Sequence, residues 1–329
     1  MLTIRARRNR KTASIRQLIE ETTLHISDLV MPCFIIEGEK KEQEIPHIPG
    51  NFLMTVDVLL KRAAYYHKLG VMALALFPVI EASLKDLEGS YALSPHNVIL
   101  KAVELLKKEL PSLCIITDIA LDPFTSHGHD GVINQDGYVL NDPTVAILCK
   151  MAYRYASSGS DIVAPSDMMD GRILSIRKTL DQNGLIDTSI LAYSAKYSSS
   201  LYAPFRDTVG SKLTQGDKKS YQLSPANARE ALRQARLDIE EGADMVMIKP
   251  ATSYLDIIYR LRQEVLLPIC SYHVSGEYAA VMAGAKEGLL DASSVLYEQL
   301  LCIKRAGSDF IFTYAVDHIL ALKMHKVCF

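Results

Sequence analysis

Lys196 ends the apolar run Leu-Ala-Tyr-Ser-Ala-Lys, and Lys249 ends Met-Val-Met-Ile-Lys just before a proline. Lysine is seldom buried, and an ammonium held at the end of a buried strand loses its water and gives up its proton more easily. The product is a neutral, nucleophilic amine, the species that Schiff-base chemistry requires. If the two strand ends are neighbours, two ammoniums about 4 Å apart at an effective dielectric of about 20 repel by roughly 4 kcal/mol. At about 1.4 kcal/mol per pH unit, that moves the titration of one of them down by about three pH units. A single strand-terminal lysine ordinarily reaches out to solvent. Two of them on consecutive strands of one sheet point instead to chemistry.

Those strands belong to a repeating pattern. Eight apolar, β-rich runs, at 31–36, 71–79, 113–121, 161–164, 188–196, 243–249, 268–274 and 309–314, alternate with amphipathic stretches such as 56–69, 97–109, 144–157, 224–241, 255–265 and 292–306. Eight βα units with no break in composition predict one α/β domain, a (β/α)8 TIM barrel over 28–329, preceded by an N-terminal arm at 1–27. Catalytic groups of such barrels sit at the C-terminal strand ends. Polar residues gather there: Asp118, Asp122, His127, His129 and Asp130 after the third strand, Ser166 to Arg172 after the fourth, then Lys196, Lys249, Ser275 and Tyr314. The stretch 197–222, with Arg206, Lys212, Lys218 and Lys219, is longer than a barrel connection needs and reads as a basic lid over an anionic substrate.

The chain has 329 residues, 49% hydrophobic and 22% charged with a formal net charge of −2, a balance that fits a well-cored enzyme and offers no nucleic-acid-binding field. No apolar run approaches the roughly 18 residues that span a bilayer, and no apolar segment of a secretion signal follows the basic start. The expectation is therefore a cytoplasmic protein with neither membrane nor nucleic-acid partners. Six cysteines, Cys33, Cys114, Cys149, Cys270, Cys302 and Cys328, include no C-x-x-C pair and read as reduced and mostly buried. The basic cluster from Arg5 to Lys11 fits an arm that lies on a neighbouring surface.

Seven segments carry a family resemblance: Asp118-Ile-Ala-Leu-Asp-Pro-Phe-Thr-Ser-His-Gly-His-Asp130, Ala164-Pro-Ser-Asp-Met-Met-Asp-Gly-Arg172, Tyr193-Ser-Ala-Lys196, Pro204-Phe-Arg-Asp207, Val246-Met-Ile-Lys-Pro250, Val274-Ser-Gly-Glu277 and Lys304-Arg-Ala-Gly307. In this order they resemble the porphobilinogen synthase (5-aminolevulinate dehydratase) family over essentially the whole chain. The resemblance implies condensation of two 5-aminolevulinate molecules into porphobilinogen, with loss of two waters, in tetrapyrrole synthesis. It implies a Schiff base on Lys249 with the molecule that becomes the propionate side and a second on Lys196 with the acetate side. Asp118 would move protons beside them, with Ser166 as a hydrogen-bonding neighbour. Ser275 and Tyr314 would hold the propionate-side carboxylate, and Arg206, Lys218 and Gln222 the acetate-side one.

The metal pattern departs from the zinc-dependent relatives, which carry three cysteines where this chain has Ala120, Asp122 and Asp130. Soft thiolates select zinc, so the resemblance here implies a zinc-independent site, with Asp122 and Asp130 as candidate hard-cation contacts and no committed metal ligand. The family also binds an activating magnesium through a glutamate whose place is taken by Gln234, a poor substitute for a carboxylate. The family's assembly is a homo-octamer joined through N-terminal arms, with a hexamer as an alternative. A class I aldolase would need one such lysine only, and a scaffold lacking activity would need neither.

Overall fold

The computed structural model describes residues 2–324; Cys328 lies outside them. Ten strands form one sheet: β1 Leu29–Ile35, β2 Glu42–Glu44, β3 Phe52–Met54, β4 Ala73–Pro78, β5 Cys114–Ile119, β6 Ile162–Pro165, β7 Ser189–Lys196, β8 Met245–Lys249, β9 Ile269–His273 and β10 Phe310–Thr313. Eight of them, β1 and β4 to β10, are parallel neighbours in order, and the sheet closes where Leu29 and Val30 of β1 pair with Ile311 and Phe312 of β10. Helices follow the strands, so the architecture is the expected (β/α)8 barrel. Each of the eight strands is buried on both faces, which is why their sequences read as continuous apolar runs.

All six predicted helices form, with Val56–Lys68, Val98–Glu109 and Ala292–Ala306 within one residue of the predicted bounds. The helix expected from 224 begins only at Arg229, because Ser224 and Asn227 fold the preceding stretch into a turn in which Ala226 N–H donates to Ser224 Oγ. The small antiparallel ladder of β2 and β3 escaped the periodicity, since three-residue strands give no pattern to read. Helices Arg172–Gln182, Ser275–Lys286 and Val316–Met324 complete the βα alternation. Among the described residues five cysteines carry free thiols; Cys33 and Cys270 are buried, the other three half-buried.

Residues 2–23 contribute no buried side chain, and Leu2, Ile4 and Leu18 are exposed, so this arm has no core of its own. The 197–222 stretch is ordered around a short helix, Ala203–Val209, and folds down over the strand ends. Lys85 Nζ donates to the carbonyls of Val209 and Gly210 at 2.9 and 2.8 Å, capping that helix. His129 Nε2 meets the Gln215 carbonyl at 2.9 Å, and Thr214 N–H donates to the His127 carbonyl at 3.3 Å. The two histidines thus act as lid anchors, in keeping with a structural reading of the pair.

Gly128 makes the lid contact possible. Its φ is +77°, and a Cβ there would stand 2.6 Å from the Lys212 carbonyl oxygen and 2.7 Å from that of Ser211. Backbone cannot yield as a side-chain tip can. Gly128→Ala is expected to cost about 1–3 kcal/mol, concentrated in the lid. Limited proteolysis should then cut within 197–222 well below the melting temperature; cleavage no faster than in the parent chain would show that the lid does not rest on this contact.

Candidate active site

The register of β7 against β8 builds the site. Leu191 and Ala192 pair with Met245 and Val246, but Ala195 and Lys196 pair with Ile248 and Lys249, so β7 carries one extra residue between 192 and 195. Paired residues on adjacent strands face the same way, and this β-bulge brings the two lysines side by side at the barrel mouth. Both are buried, with 5% of Lys196 and 7% of Lys249 exposed.

Their surroundings then diverge. Lys196 Nζ donates to Asp130 Oδ1 at 3.0 Å and to the Ser166 carbonyl. Lys249 Nζ sits among the rings of Tyr272, Tyr193, Tyr202 and Phe205, 4.4, 5.1, 5.2 and 5.3 Å from their centroids. Among the described residues no carboxylate lies within ion-pair distance of it. Burial first, and the charge of Lys196 second, push Lys249 down to about 7. The repulsion expected from the sequence is present, but desolvation outranks it.

Burial, and then the Asp122 charge, raise Asp118 to about 7 against the pull of Lys249 and Lys196. Its Oδ1 has no hydrogen-bond partner, while Ser166 bonds the carboxyl through its side chain. An acid and an amine that both titrate near 7 can exchange a proton at little cost in either direction.

Asp130 is the anionic counterpart. Its Oδ1 takes Lys196, and its Oδ2 takes Lys218 at 2.8 Å and the Tyr221 hydroxyl at 2.8 Å. Burial would raise this carboxyl, but Lys196 and then Lys218 hold it well below the ordinary carboxylate range. Lys218 also stands 3.7 Å from Asp122 Oδ2. Asp122 and Asp130 thus both face the Lys218 ammonium. No cluster of three or more His, Cys, Asp or Glu with metal-binding geometry occurs among the described residues. Ala120 is apolar and buried, and a set of Ala120, Asp122 and Asp130 offers zinc no thiolate and does not fit it.

Gln222 is buried with its amide oxygen unpartnered. Ser275 and Tyr314 lie one contact from Lys249. The Ser275 hydroxyl accepts from Phe205 N–H at 3.0 Å, and the Tyr314 hydroxyl meets that of Tyr272 at 2.9 Å. Arg206 is separated from Lys249 by the Tyr202 ring, which both cations face. Half-buried on the lid helix, it stacks on Tyr202 at 5.4 Å and lines a cleft of about 450 Å³ with Glu44, His47 and Lys212. Gln234 lies on the outer helix Arg229–Glu240, where its Nε2 donates to Asp238 Oδ1 at 3.0 Å. That donor role suits an amide and not a carboxylate.

Sequence reasoning missed the ring cage of Lys249 and the Tyr221 bond to Asp130. Tyr193 and Tyr202 flank Lys196 in sequence, yet only the bulge and the folded lid turn them towards the other lysine. Removing the carboxylate that serves two buried ammoniums should be costly: Asp130→Ala is expected to lose about 3–5 kcal/mol of unfolding free energy. Urea denaturation measures this, and a loss below about 1 kcal/mol, the range of solvated surface pairs, would contradict the buried pairing.

A family model described as delta-aminolevulinic acid dehydratase matches residues 3–322. A protein of that name from Chlamydia pneumoniae is 50% identical over 98% of this chain and 96% of its own length. One from Bradyrhizobium diazoefficiens is 49% identical over 95% of this chain and 89% of its own. The crystal structure of the Toxoplasma gondii ME49 enzyme in complex with its reaction product porphobilinogen superposes with a TM-score of 0.96 at 41% identity, covering 99% of this chain and 93% of that one. With a closed eight-stranded barrel, two buried lysines in register at its mouth and matches of this extent, the chain belongs to the delta-aminolevulinic acid dehydratase family.

Proposed function

We propose that this chain condenses two 5-aminolevulinate molecules into porphobilinogen with loss of two waters, using Lys249 and Lys196 as its two imine-forming amines. The observation that carries the reading is the pairing of Lys196 with Lys249 across β7 and β8, with Lys249 brought down to about 7. An amine that is half neutral near pH 7 can attack a ketone without an external base. Lys249 takes the molecule that becomes the propionate side, whose carboxylate would displace the Phe205 and Tyr272 contacts of Ser275 and Tyr314. Lys196 takes the acetate-side molecule, with Gln222 and Lys218 near it and Arg206, across the Tyr202 ring, to hold its carboxylate. Asp118 carries protons between the two centres.

The reading includes an active site without zinc, because aspartates paired to lysines replace a thiolate set. Magnesium acts at most as a modulator, given the Gln234 to Asp238 bond. Cytoplasmic location and a homo-octamer built through the exposed arm, with a hexamer as its alternative, complete the proposal.

Pyrrole formation by EDTA-treated protein tests it. Product without added metal and no gain with zinc are expected; a requirement for zinc would reject the zinc-free site. Lys196→Met should lose nearly all turnover, whereas a one-lysine aldolase mechanism would leave a mere rate defect.

The pH dependence has a fixed sign. Below about 7 Lys249 is protonated and cannot attack, so single-turnover imine formation should fall as pH drops through 7 and level off above it. The midpoint belongs to Lys249 and Asp118 titrating together. A rate still climbing towards pH 10 would mean an ordinary, solvated lysine.

A further inference from the structure

The turn that carries Ser166 rests on a clamp that the condensation chemistry leaves unused. Arg172, the first residue of helix Arg172–Gln182, is completely buried. Its guanidinium donates to the Met169 carbonyl at 3.2 Å and to both oxygens of Asp238 at 3.3 and 3.4 Å. Its Nε faces Asp167 Oδ2 at 3.5 Å, and Asp167 Oδ1 accepts from Met169 N–H at 2.7 Å. Asp167 and Asp238 are as deeply buried as Arg172.

Between these contacts Met168 holds φ at +72°, in the left-handed region that a side chain with a Cβ disfavours. The turn begins at Ser166, whose N–H is tied to the Ile119 carbonyl at 3.1 Å and whose own carbonyl accepts from Lys196 Nζ. Burying a guanidinium with two carboxylates costs several kcal/mol per ion, and an apolar filling of similar volume would often serve stability as well or better. Here two polar atoms, Arg172 Nε and Asp167 Oδ2, even lack a hydrogen bond. What the charged set does secure is geometry: a turn in a disfavoured conformation, with one carbonyl aimed at one amine.

We infer that Arg172 is a positioning residue for Lys196: by clamping the 166–171 turn it holds the Ser166 carbonyl that, with Asp130, directs the Lys196 amine. The inference rests on the reading that both lysines form imines. Lys249, held by aromatic rings and not by this turn, supplies an internal control.

The test is borohydride trapping with 5-aminolevulinate, followed by peptide mass spectrometry of both lysines. The parent chain is expected to show adducts at each; adducts at neither would reject the imine reading itself and leave the clamp nothing to position. Arg172→Lys keeps the charge and loses the planar fork. It should lower Lys196 labelling relative to Lys249 by roughly tenfold to a hundredfold, the scale of a small misplacement of a reacting group, with turnover falling in parallel. Asp238→Asn should shift the ratio the same way by less, and it takes over the comparison if Arg172→Lys does not fold. A folded variant with the parental ratio, or with equal loss at both lysines, would overturn the inference. So would failure of both variants to fold, which would assign the clamp to stability alone.

Discussion

Two lysines side by side in a dry barrel mouth cannot both keep their protons at little cost, and most of what surrounds them decides which one does. Asp130 gives its charge to Lys196 and Lys218 and offers none at ion-pair range to Lys249. Aromatic rings close around Lys249 instead. Their faces attract a cation weakly, yet they cannot replace the water that burial removes, so the neutral amine gains. One fixed carboxylate thus makes chemically identical side chains different. Lys196 sits where hydrogen bonds orient it, and Lys249 where little restrains its amine.

Much of this was legible in the sequence because the barrel imposes simple rules. A strand buried on both faces must be apolar, so Lys196 and Lys249 stand out as the points where that rule breaks, and their burial at 5% and 7% exposure follows from the runs that precede them. Asp118, Ser166, Lys218 and Gln222 fall near them because strand ends converge. Other features depend on long-range geometry. That Lys218 also pairs with Asp130 and Asp122 could not be read from spacing, because the lid brings it to them across the barrel mouth. Arg206 meets the Tyr202 ring of the Lys249 cage, and the facing of a seven-residue helix is set by how the loop lands, not by its spacing from Lys196. The roles of Tyr193 and Tyr221 depend on a bulge and a lid contact separated widely along the chain.

The lid and the barrel share their anchors. Phe205 contributes a ring to the Lys249 cage and its N–H to Ser275, while Tyr221 reaches from the end of the lid to Asp130. Opening the lid would therefore hydrate Lys249 and remove a hydrogen bond from the carboxylate that serves Lys196. The acid-base state of the site and the position of the loop are two descriptions of one equilibrium.

The extra residue in β7 bears on how such a site tolerates change. Were β7 paired regularly onward from Ala192, with no bulge, Ala195 would stand opposite Lys249 and Lys196 would turn towards the helical layer, although every side chain named in the site would still be encoded. Register at this point is as much a part of the chemistry as residue identity. A search for working members of this architecture that scores only matched residue types would pass a sequence whose two amines face opposite sides of the same wall.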